Sequence, residues 1–507
     1  MHTAVERPPS ALSPLAARLV APLTIAAGAV VLWVIAGVGF ANYDTLYALA
    51  WGGQLARGET PQYGIPIAPT PHPLVEVLGV ILYPLGPSAI EVVTVALGFL
   101  ALSACGWVVY RLGSIWFGRA AGALAALILL TRVPVLSYGV RAYVDIPYLL
   151  LVLSALLVES RRRRAGVPVL VLLALAGLLR PEAWVFSGLY WLYIMNWTPR
   201  TVRAWVRTHG RAHSKPSVTK TPRFTRRQIA ELTLLAAAAP LAWVVSDWLV
   251  TGHPLWSLTN TRHTAETLDR VTGIANVPEY IPRRIGEILS PAVLVGAALG
   301  GVLSLWLLRR RAWVGAVAGV VAVMVFAAFA TAGLPINTRY AFLAAAILCI
   351  FCGAGVFGWT RLPREDPRRR WWMAGGALVL LALLASVPSQ YHSAHRELTK
   401  LARQQSIQND LLRLVEDGSI TRRCEPVGVP NHAPIPLLAL YLKTSPREIV
   451  SAEASPITHG TYVDPASKEI EDDYVLDPHD PHLPVTVPPG FTEVHANGSW
   501  LIFAHCP

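Results

Sequence analysis

The sequence predicts a mostly α-helical fold: a polytopic bundle of membrane helices, about eleven of them, with a small C-terminal α/β domain. Three observations predict it. The chain is 53% hydrophobic and 15% charged over 507 residues, a balance that suits a surface in contact with lipid. Its apolar runs recur at lengths near the ~20 residues that a helix needs to cross hydrocarbon, and short Arg clusters separate them. From about Tyr391 the pattern changes to polar, Pro-containing sequence with short β-branched runs, so 391–507 reads as a domain of its own. The net charge of +12 does not point to nucleic acid, because the Arg residues fall in linkers between apolar runs.

Segment 1–17 is polar and Pro-rich and is expected as a cytoplasmic tail, with 18–390 forming the membrane domain. Candidate spans are 18–40, 88–111, 118–138, 146–159, 166–179, 182–196, 229–250, 289–308, 312–332, 340–359 and 371–388. No small-residue cleavage site follows the first of them, so it is expected to be retained. Segment 73–86 has about twelve apolar residues between Pro73 and Gly86, too few to cross, and reads as a juxtamembrane helix on the surface. Charge supports that choice. With it, Arg161 to Arg164, the nine Lys/Arg from Arg200 to Arg227 in the basic loop 197–228, Arg309 to Arg311, and Arg361 to Arg370 all fall on the cytoplasmic side. The N-terminus is then inside and the C-terminal domain outside. The outward side holds the first loop 41–87, the turn Arg141 to Pro147, the loop 251–288 and the turn Asn337 to Tyr340.

In the C-terminal domain, Ala394 to Asp417 places Ile407, Leu411, Leu414 and Val415 on one helical face, and Gly418 ends it. Strands are expected at Val427 to Val429 and Glu448 to Ala452, with a helix at Ile435 to Leu442 between them. A final hairpin turns on Asn497-Gly498. Cys105, Cys349 and Cys352 lie inside apolar runs and read as small buried hydrophobes. Cys424 and Cys506 are alone in the outer domain and are expected to form a disulfide. The Pro-rich Asp477 to His482 run reads as a solvated loop, with ligation of a divalent metal as the lesser alternative, and no other cofactor motif is found.

Chemistry centres on the first loop. Asp44 follows the first span, where a charge is costly unless it pairs or acts. Thr45 to Arg57 carries Leu46, Leu49, Ala50 and Gly53 at helical spacing and is expected as an amphipathic surface helix with Asp44 at its N-terminal cap. Asp145 precedes a run that covers only about 20 Å of a roughly 30 Å core. The next two runs are also short, and Arg180, Pro181 and Glu182 join them. Recessed charges on several helices predict a polar cavity. Arg180 and Glu182 also have the simpler expectation of pairing only with each other.

The order of these features carries a resemblance. A first-loop Asp, a G-x-x-P-Q-Y turn (Gly58 to Tyr63), P-H-P-L (Pro71 to Leu74), W-F-G-R (Trp116 to Arg119), an outward D-I-P (Asp145 to Pro147) and an outward Arg339-Tyr340 resemble the GT-C superfamily of membrane glycosyltransferases. Within it they are similar to the bacterial protein O-mannosyltransferase and aminoarabinose transferase types, over residues 18 to about 390. The resemblance implies transfer of a sugar from a polyprenyl-phosphate donor to a lipid, glycan or protein acceptor on the outer face, with inversion. It implies that Asp44 is the general base, that Asp145 sits near the reaction centre, and that Arg339 and Tyr340 lie near the carrier phosphate. His72 and Glu76 fall where relatives keep polar residues. Thr45 and Glu91 depart from the pattern, standing where relatives often have an acid and a base. On chemical grounds a buried carboxylate is expected to have a raised pKa, and Arg141 and Arg180 are further cations for the phosphate. A transporter or flippase, or a non-catalytic assembly factor, remains the alternative.

Overall fold

The computed structural model describes residues 14–195, 224–475 and 486–506. Most of the tail 1–17 and of the basic loop 197–228, and the Asp477 to His482 run, lie outside the described residues. Helices α1 (Pro14–Ala36), α2 (Tyr43–Ala56), α3 (Pro73–Leu82) and α4 (Pro87–Phe117) open the chain. Next come α5 (Arg119–Leu130), α6 (Val133–Val140), α7 (Asp145–Arg161), α8 (Val167–Leu179) and α9 (Glu182–Ile194). After the undescribed stretch follow α10 (Arg226–Thr251), α11 (Trp256–Thr267), α12 (Val277–Ile288), α13 (Pro291–Leu307), α14 (Arg309–Thr331), α15 (Phe342–Phe357), α16 (Arg368–Ala385) and α17 (Val387–Glu416).

Among the described residues five helices are long and apolar enough to cross a membrane, or up to eight if each bent pair is one span. The expected count of eleven also included the short α7, α8 and α9. The expected span 118–138 is broken: α5 and α6 meet at 65°, because Pro134 has no N–H to continue the helical ladder. Likewise Ser290 is extended (ψ 156°) ahead of Pro291, and the chain bends by 109° from α12 into α13. The expected loop 251–288 is largely helical, as α11 and α12.

The expected amphipathic surface helix is corrected most. Thr45 through Gln54 of α2 are all buried. One side is covered by α3 at backbone contact: a Cβ on Gly52 would lie 2.4 Å from the Glu76 carbonyl oxygen, and one on Gly79 would lie 2.9 Å from that of Leu49. The other side is covered by the C-terminal domain, whose Leu437, Leu438, Val463 and Trp500 join Leu46, Leu49 and Trp51 in one apolar core.

That domain contains β1 (Val427–Val429), α18 (Ile435–Tyr441), β2 (Ile449–Ser451), β3 (Gly460–Pro465), β4 (Thr492–Ala496) and β5 (Trp500–His505) in the order β2-β1-β3-β5-β4. β1 is parallel to β2 and β3, and the rest is antiparallel. Cys424 and Cys506 are bonded, with Cα atoms 5.6 Å apart. Polar staples fix the domain to the bundle. The Tyr441 hydroxyl donates to Glu91 at 2.8 Å, and the Gln405 side chain both donates to and accepts from the Gly39 backbone at 2.8 and 3.2 Å.

Candidate active site

Asn42, not Asp44, caps α2. Its side-chain oxygen accepts from the backbone N–H groups of Asp44 and Thr45 at 2.9 and 3.3 Å. The capping work is therefore taken by a neutral residue, and the Asp44 carboxylate in the first turn faces a cavity of about 1020 Å³. Asn42 is itself anchored: its backbone and side-chain N–H groups both donate to the Arg141 carbonyl oxygen at 3.0 Å. Thr45 donates to the Ala142 carbonyl oxygen at 2.9 Å. Ala142 holds φ +48°, a strained value for a residue with a side chain. The first loop and the turn before Asp145 are thereby locked together.

Arg339 donates to Asp44 Oδ2 at 2.7 Å, and the same guanidinium nitrogen lies 3.9 Å from Asp145 Oδ2. Asp145 Oδ1 accepts from Arg180, and Arg180 also donates to Glu182 Oε1 at 2.7 and 3.0 Å. The five groups form an alternating chain, Asp44, Arg339, Asp145, Arg180, Glu182. The expectation that Arg180 and Glu182 pair only with each other is thus overturned. Asp145 is 2% exposed, so it lies behind the wall and sets the position of the two arginines. Tyr340 lies between them: the Arg180 guanidinium is 4.6 Å and that of Arg339 5.9 Å from its ring centre.

The expected raised pKa of Asp44 is also corrected. Burial pushes the carboxyl up, but the Arg339 guanidinium, with His72 and Arg270, outweighs it and holds the group below the ordinary carboxylate value. His72 lines the cavity with its Nδ1 2.8 Å from the Leu179 carbonyl oxygen. A carbonyl only accepts, so Nδ1 carries the proton. Burial lowers His72 to about 4, which leaves the ring neutral near pH 7. Glu76 takes no part in the cavity wall. It is buried in the first turn of α3 and accepts from the Tyr63 hydroxyl at 2.7 Å.

Arg141 lines the cavity with its guanidinium 5.4 and 4.9 Å from the ring centres of Tyr138 and Tyr143. Sequence reasoning did not single out Tyr43, Tyr138, Asp247, Arg270, His432 or Tyr474, all of which line the same cavity. Asp247 is taken up by Ser257, whose N–H and hydroxyl both donate to it. Tyr43 adjoins Asp44 in sequence, whereas Tyr138, Arg270, His432 and Tyr474 join it only in the fold, and no local motif marks them. Among the described residues no three His, Cys, Asp or Glu side chains converge as a metal site.

The fold, a helical membrane bundle carrying a small C-terminal sheet, is shared with a solved structure. The chain is similar to the crystal structure of ArnT from Cupriavidus metallidurans bound to undecaprenyl phosphate, with 14% identity and a TM-score of 0.54 over 95% of this chain and 97% of that one. The apo oligosaccharyltransferase of Archaeoglobus fulgidus matches at 12% identity and a TM-score of 0.44, over 85% of this chain and 64% of that one. AglB from the same organism, in complex with an inhibitory peptide and a dolichol-phosphate, matches at 12% identity and 0.43 over 90% and 70%. No family model and no curated protein matches the chain.

Proposed function

We propose that the protein is a membrane glycosyltransferase that moves a sugar from a polyprenyl-phosphate donor to an acceptor hydroxyl on the outer face. The observation that carries this reading is the contact between Asp44 and Arg339 at 2.7 Å on the wall of a deep cavity. It joins a proton acceptor to a phosphate-binding cation, the two groups that such a transfer needs. A fold shared with a protein bound to undecaprenyl phosphate supports it. The basic turns at the opposite end of the bundle, where Arg361 reaches the Ser114 carbonyl oxygen, support an outward cavity and an outward C-terminal domain.

The acceptor oxygen attacks the anomeric carbon as the bond from that carbon to the carrier phosphate breaks. The electron pair of the broken bond leaves with the phosphate, the acceptor proton passes to Asp44, and single displacement inverts the centre. A phosphate entering the cavity competes for Arg339 and loosens its hold on Asp44, which raises the basicity of the carboxylate at the moment it is needed. Arg180 and Asp145 keep Arg339 in register. The direct test is to give membranes containing the full chain a tritiated undecaprenyl-phosphate sugar. Label leaving the carrier for a second molecule is expected; label crossing the membrane still on its carrier would replace this reading with transport.

A further inference from the structure

The segments that follow the carboxyl ends of β1 and β3 line the cavity, and the transfer chemistry above leaves them unused. The chain leaves β1 for β2 on one side and then crosses to β3 on the other. In open α/β sheets the connections diverge at such a point, and the crevice beyond the carboxyl ends of the strands is where ligands bind. Here the segments beyond those ends are Asn431 to Ala433 after β1, Glu453 after β2, and Tyr474 and Val475 after β3. His432, Ala433, Tyr474 and Val475 line the same cavity as Asp44 and Arg339. The crevice at the carboxyl ends of the strands therefore opens onto the cavity that holds Asp44 and Arg339.

The crevice is rigidly built. Asn431, 2% exposed, donates from its side chain to the Val475 carbonyl oxygen and accepts from the Ala433 N–H at 3.0 Å, which fastens the two loops together. His432 Nδ1 lies 3.3 Å from Glu453 Oε2, and the ring packs edge-on to Tyr43, with centres 5.5 Å apart, next to Asp44 in sequence. Tyr474 packs edge-on to Trp500, whose indole N–H donates to the Ile407 carbonyl oxygen at 3.0 Å.

We propose, resting on the transfer reading, that this crevice is the acceptor half of the site and that it takes a carbohydrate headgroup. His432, oriented by Glu453, hydrogen-bonds a headgroup hydroxyl, while Tyr43 and Tyr474 pack against the ring. Aromatic walls with a few fixed polar groups suit a ring bearing hydroxyls. The attacking hydroxyl is thereby presented to Asp44 by the C-terminal domain, and the donor is held by the bundle.

The experiment uses full-length protein in membranes supplied with tritiated undecaprenyl-phosphate sugars. It compares wild type with His432→Leu, Glu453→Gln and Ala433→Trp, the last filling the crevice without removing either member of the pair. In detergent, protection of each variant against thermal unfolding by undecaprenyl phosphate reports the donor site. Expected is a loss of transfer of at least about tenfold in His432→Leu and Ala433→Trp, and about fivefold in Glu453→Gln, with that protection kept. Label extracted with lipid or retained in an insoluble glycan supports the proposal and distinguishes the source of the headgroup. Full transfer by both His432→Leu and Ala433→Trp, loss of undecaprenyl-phosphate protection in step with transfer, or protease-released label would overturn it. Wild type that neither transfers label nor gains protection would overturn the transfer reading itself.

Discussion

Arg339 serves two carboxylates, at 2.7 Å from Asp44 and 3.9 Å from Asp145, and this sharing determines how the site responds to pH. The Asp44 carboxyl is held below its ordinary value despite burial. A depressed carboxyl contributes stability that is full above the unfolded value, about 3.9, and is lost as pH falls through the lower folded value. Removing the guanidinium removes that contribution. Arg339→Gln should therefore lower the thermal midpoint in detergent most at pH 6 to 7, and the gap from wild type should shrink below about pH 4. A gap that stays constant across that range would mean the pair is absent. The carboxylate positions were legible in the sequence because charges beside short apolar runs are costly. Their partners were not, since Asp44 and Arg339 are 295 residues apart. Nor was the identity of the cap, because Asn42 and Asp44 are equally good capping residue types.

At the scale of elements, the site depends on how closely α2 lies against α3. Gly52 and Gly79 allow backbone contact, and a side chain at either would meet the facing backbone within 3 Å. Gly79→Val should force the helices apart, at a cost of about 1–3 kcal/mol, and should reduce transfer by moving His72 and Asp44 relative to each other. Unfolding midpoints and transfer rates measured side by side check this; a variant unchanged in both would show that the contact is not close. The pattern at 45–57 gave the helix but not its burial. A run with polar residues on one face suits a membrane surface as well as a buried interface, and its cover comes from α3 on one side and from residues 427–502 on the other. In the C-terminal domain β1, α18, β2 and the hairpin were legible from β-branched runs and the Asn497-Gly498 turn. Strand β3 was not, because Gly460 to Pro465 begins on Gly, ends on Pro and has only Thr461 to Val463 to mark it.

At the scale of the whole molecule, the order of apolar runs and Arg clusters gave the helical architecture but not its bends. Pro134 and Pro291 bend the chain by 65° and 109°, a geometry that composition alone does not report. The proposed orientation predicts that a single cysteine placed at 440–450 is labelled by an impermeant reagent only from outside, and one placed at 200–220 only after the membrane is opened. Labelling of both positions in intact cells would overturn the orientation. The central claim, that Asp44 takes the acceptor proton, is tested most directly by Asp44→Asn in the transfer assay. Asn42 keeps the helix capped, and Asp145 remains within 3.9 Å of Arg339 to hold it, so the variant is expected to fold, with its thermal midpoint at pH 6 to 7 lowered no more than in Arg339→Gln. Its transfer rate should fall by at least about 10²-fold, the usual loss when a general base is removed. An Asp44→Asn protein that transfers label at the wild-type rate would contradict the account.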